Sequence, residues 1–454
     1  MPIAGISSSA ARATSAGIRL APSSSEYSVW LWRWTKVFGA CGIVWLWVWR
    51  TPGDSLSRDM AKIALPSLAD GPAEAAHSGI REIANEALRT PGAIRLDVGQ
   101  PDFPTPQHVK DAGKRAIDEN KTFYTHTQGL FSLREKLVDK LARVNGIKTT
   151  PERIACGPGG VGAIAAVLAA VLEHGDEILL PDPGWPNYRM MLAWTGARGV
   201  FYPCPPEIDF QPDLDALEAL ITPRSKVIVV NSPNNPTGAV YPRETMVAFV
   251  ELAQKHNLWL ISDECYDQIV LDGSWTSAAT IAPDDPRIVS AFTFSKTYAM
   301  TGWRLGYVTG STELIDTTTK VLESNSSCVS TISQVAAEAA LDGPQNCVTE
   351  MVDAYRRRRN LVVDLLKEAG LFLAEPSGAF YCMADISPSG LGSRDFAFAL
   401  LRGRGVSVAP GTAFGKVAGG AVRISLASSD QDLREGVGRL AEFVLRGTKQ
   451  GAVV

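Results

Sequence analysis

Lys226-Val227-Ile228-Val229-Val230-Asn231-Ser232-Pro233-Asn234-Asn235-Pro236-Thr237-Gly238 reads as a strand that runs into a turn. Its β-branched run does not alternate with polar residues, which is the pattern of a strand buried on both faces. The polar stretch after it holds two prolines and ends in glycine, which marks a turn. Working outward, the same pairing of apolar run and polar loop recurs. Residues 177–180 precede Pro183-Gly184-Trp185-Pro186-Asn187-Tyr188, residues 258–262 precede Asp263-Glu264-Cys265-Tyr266, and residues 288–294 precede Ser295-Lys296. Helical patterns over residues 163–174 and 244–256 separate them. Residues 73–89 also have helical character and lead to a short strand over residues 94–98. The alternation predicts an α/β domain with a mostly parallel sheet.

In open sheets of this kind, ligands gather at the carboxyl ends of the strands. The loops predicted there carry chemistry. In Thr293-Phe294-Ser295-Lys296-Thr297-Tyr298-Ala299-Met300-Thr301-Gly302-Trp303-Arg304 a lysine stands among hydroxyls, with an arginine eight positions on. A desolvated lysine amine condenses with an aldehyde, and arginine with hydroxyls binds phosphate. A lone pair at this spacing is ordinary surface chemistry, but four further motifs stand in order along the chain. Gly157-Pro158-Gly159-Gly160-Val161-Gly162 opens a helix, whose N-terminal N–H groups favour a phosphate. Trp185, on its proline-flanked loop, offers a face for a flat ring. Asn235 offers an amide on the Asn-Pro turn. Asp263 is a carboxylate at the end of a buried strand, which calls for a cationic partner such as a protonated pyridine. An aldehyde, a phosphate and a pyridine together describe pyridoxal 5′-phosphate.

These motifs resemble the class I aminotransferases of the pyridoxal-phosphate fold type I, aspartate aminotransferase-like, from about residue 80 to about residue 440. The resemblance implies a large α/β domain with a mostly parallel sheet flanked by helices, and a smaller α+β domain. It implies that Lys296 is the Schiff-base lysine and the acid/base of the proton shift, and that Asp263 holds the pyridinium proton. Asn235 and Tyr266 would bond the phenolic oxygen, and Trp185 would stack on the ring. Gly159, Gly160, Val161, Thr293, Ser295 and Arg304 would line the phosphate site. Arg423, in Val422-Arg423-Ile424-Ser425, would bind the substrate α-carboxylate, and Gly99 in Gly99-Gln100-Pro101-Asp102-Phe103 would close over the substrate. Tyr124 resembles the tyrosine that reaches the neighbouring subunit's phosphate site, which implies a homodimer with shared active sites. Several aspartate-specific bacterial members carry a lysine in the Gly-rich turn where this chain has Val161, so the expected donor is apolar or aromatic rather than acidic.

The implied activity moves an amino group from an L-amino acid to a 2-oxo acid by a ping-pong route through Lys296. A carbon–sulfur β-lyase on the same site is the alternative, and a pyridoxal-phosphate-binding regulator a more distant one. The 454 residues carry a net charge of −4, which does not suggest nucleic-acid binding. Seven scattered cysteines without a Cys-x-x-Cys pair fit reduced thiols in a cytoplasm, with no metal site. The Arg356–Arg359 run reads as a solvated helix face. Six of the eleven tryptophans lie between Trp30 and Trp49. With Arg33 and Lys36 among them, that stretch is a poor bilayer span, and no membrane association is expected. Residues 1–59 are expected to be an extension that is disordered or not native, with ordinary composition beginning at Met60. Residues 60–104 are expected as an arm with part of the small domain, 105–343 as the cofactor domain, 344–447 as the small domain and 448–454 as a tail.

Overall fold

The computed structural model describes residues 36–39, 42–45, 68–69, 71–72 and 78–450. The chain divides into two units, Met1–Ser67 and Leu68–Val454. In the first, Lys36–Gly39 pairs antiparallel with Gly42–Trp45. The rest of what the sequence suggests for residues 1–59 lies outside the described residues.

The second unit is built on a seven-stranded sheet. Its strands are β1 (Ile154–Gly157), β2 (Glu177–Asp182), β3 (Arg198–Pro203), β4 (Ser225–Asn231), β5 (Trp259–Asp263), β6 (Ile288–Thr293) and β7 (Gly306–Thr309). The spatial order is β1-β7-β6-β5-β4-β2-β3. Neighbours are parallel except that β7 runs antiparallel to both β1 and β6. The α/β architecture with a mostly parallel sheet flanked by helices is thus as the motifs implied.

Strand β4 shows why the sheet needs cover on both faces. Side chains alternate along a strand. Val227 and Val229 therefore join one cluster with Ile164 and Val167 of the helix Gly159–Val171. Ile228 and Val230 point the other way and join Phe249 and Met246 of the helix Arg243–Lys255. All four strand residues are fully buried, and each such side chain contributes roughly 1.5–3 kcal/mol. A charge at any of them would face a packed helix.

A smaller antiparallel sheet follows, with β8 (Tyr381–Asp385), β9 (Ala409–Pro410) and β10 (Ala421–Ser425) in the order β8-β10-β9. The run over residues 94–98 forms ladder only at Ile94–Arg95, which pairs in parallel with Val406–Ser407. Beyond it Leu96 bonds the Ser407 carbonyl and the Ser425 N–H through its backbone, each at 2.8 Å, and the buried Asp97 carboxylate holds Arg95 at 2.7 Å. The helix expected over residues 73–89 is Gly79–Leu88, with residues 73–77 outside the described set. The helix Asp430–Gln450 runs into the segment expected as a tail.

The Arg356–Arg359 run is not a solvated face. Consecutive helical residues lie about 100° apart, so four of them cannot share one side. In the helix Asn346–Glu368, Arg358 and Arg359 point inward and are buried. Arg358 forks onto Asp102, with Nη1 to Oδ1 at 2.9 Å and Nη2 to Oδ2 at 2.8 Å. Arg359 donates to the Pro376 carbonyl at 2.7 Å and pairs with Asp272. Arg358 thereby ties the loop after Gly99 to the helix.

Candidate active site

The sheet topology alone brings most of the predicted residues to one edge. Strands β1, β2, β4, β5 and β6 are aligned, so their carboxyl ends open on the same side, at Gly157, Asp182, Asn231, Asp263 and Thr293. Strand β7 runs the other way, and its first residue, Gly306, pairs with both Gly157 and Thr293. The inversion places Arg304, two residues before that start, at the same edge.

Gly159 and Gly160 begin the helix Gly159–Val171 with their N–H groups free of intrahelical partners. Gly159 has φ +76°, and a Cβ there would lie 2.9 Å from Arg304 Cζ. Arg304 is steadied by the carbonyls of Thr301 at 2.8 Å and Pro158 at 3.3 Å. Beside it the Thr293 hydroxyl sits 2.9 Å from the Ser295 hydroxyl and accepts from the Ser295 N–H at 3.2 Å. A Cβ on Gly160 would lie 3.6 Å from Thr293 Cβ and 3.0 Å from Cys265 Sγ. Turn, hydroxyls and guanidinium thus form one cup of donors. Val161 follows on the first turn, half-buried.

Asp263 ends β5 and is 3 % exposed. Its carboxylate accepts from Tyr188 Oη and from the Cys265 N–H at 3.2 Å, and neither is a cation. Burial pushes its carboxyl up, while the Cys265 and Tyr188 hydrogen bonds and the Lys296 charge pull the other way. Tyr188 was not singled out by the sequence. It stands three residues after Trp185, and the two rings meet edge to face at 5.2 Å. Asn231 is the register partner of Asp263. Its amide donates to the Asp263 carbonyl at 2.9 Å and accepts from the Asn235 N–H at 2.9 Å.

Lys296 is half-buried, and its Nζ donates to the Gly99 carbonyl at 2.6 Å. It lies 5.9 Å from the Tyr266 ring centre and 5.7 Å from that of Phe380. Arg423, on β10, is 1 % exposed. It donates to Asn235 Oδ1 at 3.0 Å and to the Asp97 carbonyl at 2.8 Å, while its buried Nε has no protein partner. Burial lowers its proton affinity, against the pull of Tyr381, Tyr266 and Asp97. Lys296, Asp263, Tyr266, Asn235, Arg423, Gly99, Trp185 and the cup therefore form one connected cluster. Tyr124 stands outside it, 90 % exposed next to Phe123 at 78 %.

Pyridoxal phosphate fits these residues. A buried carboxylate whose hydrogen-bond partners are a phenol and an amide suits a protonated pyridine, and a cup that admits no Cβ at Gly159 suits a phosphate. Gly159→Ala is expected to weaken cofactor affinity at least about tenfold, since a methyl group would both displace Arg304 and strain a left-handed residue. Titrating cofactor-free protein with pyridoxal phosphate measures it, and an unchanged dissociation constant would count against the cup.

A family model described as aminotransferase class I and II matches residues 91–440. An aspartate/prephenate aminotransferase of Thermus thermophilus is 40% identical over 356 residues, covering 78% of this chain and 91% of that protein. An aromatic-amino-acid aminotransferase of Thermococcus litoralis is 36% identical, covering 82% and 96%. The structure of the aspartate aminotransferase from Thermus thermophilus with maleate superposes with a TM-score of 0.80 at 37% identity, covering 84% of this chain and all of that one.

Proposed function

This chain belongs to the aminotransferases of class I and II, and on that premise we propose that Lys296, Asp263 and Arg423 carry the transfer of an amino group from an L-amino acid to a 2-oxo acid. The observation that carries the assignment is Asp263, a buried carboxylate near the Lys296 charge with no cation among its hydrogen-bond partners. Pyridoxal phosphate, when bound, supplies an aldehyde that takes up the amino group and a ring that accepts electrons.

The chain's residues divide the remaining work. Gly159, Gly160, Thr293, Ser295 and Arg304 hold the phosphate with N–H, O–H and guanidinium donors. Asp263 keeps a proton on the ring nitrogen, oriented by Tyr188. Asn235 and Tyr266 bind the phenolic oxygen, and Trp185 covers the ring. Arg423 docks the α-carboxylate, its guanidinium already aimed by Asn235 and the Asp97 carbonyl. Lys296 would then serve as the base, its Nζ taking the α-proton and handing it back within the site. The Gly99 carbonyl, which accepts from its Nζ, fixes where that amine points. Two such half-reactions, with donor and acceptor alternating, give ping-pong kinetics.

The proposal includes a homodimer, supported by the exposed Phe123 and Tyr124. Cytoplasmic residence is supported by the six described cysteines, all unpaired. Among the described residues no helix is long and apolar enough to cross a membrane. The proposed cofactor domain, residues 105–343, contains the whole seven-stranded sheet, and residues 344–447 contain the three-stranded one. Within the arm proposed over residues 60–104, Ile94–Arg95 pairs with Val406–Ser407 of the smaller domain.

Val161 bears on the donor. It stands on the turn that opens toward the cup and offers no charge to a side-chain carboxylate. Neutral apolar or aromatic donors are expected to exceed aspartate and glutamate in kcat/KM by at least about tenfold. Mixing the loaded enzyme with single amino acids, without an acceptor, measures this. The spectral change should reach one equivalent per site and stop. Preference for aspartate would overturn the reading of Val161. Continuous release of pyruvate and ammonia would show β-elimination instead.

A further inference from the structure

Tyr266 and Tyr381 are joined hydroxyl to hydroxyl at 3.0 Å. Both are buried, at 4 % and 1 % exposure. Tyr381 opens β8 and pairs in register with Ser425, so it lies on the small sheet next to the strand that carries Arg423. The Arg423 guanidinium sits 4.3 Å from the centre of the Tyr381 ring. A Cβ built on Gly99 would come within 3.4 Å of the Tyr381 hydroxyl. That hydroxyl therefore stands at the meeting point of the tyrosine assigned to the cofactor, the arginine assigned to the carboxylate, and the glycine that receives Lys296.

We infer that Tyr381 is a positioning residue for amino transfer, whose hydroxyl donates to Tyr266 and frees the Tyr266 proton for the cofactor's phenolic oxygen. The inference rests on the reading of Tyr266 given above. Two hydroxyls share two protons and several lone pairs, and either can be the donor. A strong acceptor beyond Tyr266 breaks that symmetry. Tyr266 then donates outward, and Tyr381 donates to the oxygen of Tyr266. Bonds arranged in such a chain polarise one another, by about 10–30% each. The cation over the Tyr381 ring polarises its O–H in the same sense. The groups around Tyr266 that carry or could carry charge are Tyr381, Cys265 and Arg423, with Lys296 over its ring. Of these, Tyr381 is the one whose hydroxyl meets that of Tyr266.

The consequence is a change in proton affinity at the cofactor. A donor at the phenolic oxygen draws electron density away and loosens any proton shared there, so a weaker donor raises the midpoint of the bound cofactor's pH-dependent absorbance change. Tyr381→Phe keeps the ring against Arg423 and Phe380 and removes only the hydroxyl. It is expected to raise that midpoint by roughly 0.5 to 1 unit, a three- to tenfold change in proton affinity. Its kcat/KM should fall about tenfold. Fluorinated tyrosine at position 381, a more acidic donor, should move the midpoint the other way, which loss of packing would not do.

The controls separate the two assignments. Tyr266→Phe should raise the midpoint at least as far, and the double variant should match Tyr266→Phe alone. If Tyr266→Phe moves the midpoint and neither change at 381 does, Tyr381 has no such role. Additive shifts in the double variant would also overturn the inference, because Tyr381 would then act by another path. A midpoint unmoved by Tyr266→Phe would instead remove Tyr266 from the phenolic oxygen. Cofactor dissociation constants of the cofactor-free proteins provide a readout apart from turnover. A weakening for Tyr266→Phe that is smaller for Tyr381→Phe agrees with the inference, and the reverse order opposes it.

Discussion

Lys296→Ala is expected to lower turnover by at least about 10⁴-fold while leaving the protein folded and able to bind pyridoxal phosphate. The variant loses the amine that meets the aldehyde and the base that moves the proton, so one substitution removes two contributions. Little else changes. Lys296 is half-buried, and loss of its side-chain hydrogen bond to the Gly99 carbonyl leaves that acceptor able to bond water. The cup does not include its side chain, so affinity through the phosphate persists. Borohydride reduction followed by mass measurement provides the check. Wild type should gain the mass of the reduced cofactor, and the variant should not. A variant that is still labelled, or that turns over within tenfold of wild type, would assign the chemistry to another lysine.

Asp263→Asn is expected to slow α-proton removal by roughly 10²–10³-fold, the effect of losing one preorganised charge contact in a dry site. Asparagine conserves shape and leaves Tyr188 a partner, so the loss is electrostatic rather than a cavity. Without a full negative charge, a proton on the ring nitrogen is no longer favoured at neutral pH, and the ring accepts electrons less readily. Burial acts in the native protein against the charged carboxylate, and the Cys265 and Tyr188 bonds offset it. A pyridinium would offset it further. Single-turnover rates with α-deuterated donor measure the step, which should show a larger isotope effect in the variant. An unchanged rate would remove Asp263 from contact with the ring.

Much of this was legible because parallel sheets concentrate information. Strands β4, β5 and β6 are apolar runs buried on both faces, and the loop after each carries polar residues with little structural reason to be there. Asn235, Asp263 and Lys296 could therefore be placed from sequence. The short or mixed strands could not. β1 is Ile-Ala-Cys-Gly, β3 includes glycine and ends in proline, and β7 opens with glycine. None has a pattern of its own, and each becomes a strand through its neighbours. Tyr381 and Tyr188 were missed for a related reason. A buried tyrosine looks like any core aromatic until its hydroxyl finds a partner distant in the chain. Arg358 was misread because four adjacent arginines suggest a charged surface, whereas the helix turns two of them toward Asp102 and Asp272.

The antiparallel strand β7, threaded between β1 and β6, sets a timetable for synthesis. The glycine turn at 159–160 is made early, but its guanidinium partner, Arg304, leaves the ribosome only some 145 residues later. At roughly 5–20 residues per second that interval is about 7 to 30 s. Strand β1 has its hydrogen-bonded neighbour only when β7 arrives, so until then it is an exposed edge able to pair with other chains. Arg423 comes later still, after β8 has been made. A nascent chain therefore cannot retain cofactor through the full cup before Arg304 emerges, just ahead of the seventh strand, and no fragment ending before Arg304 contains the cup. Chaperone demand should fall in that window, when several apolar strands await one late, short insertion that closes the sheet.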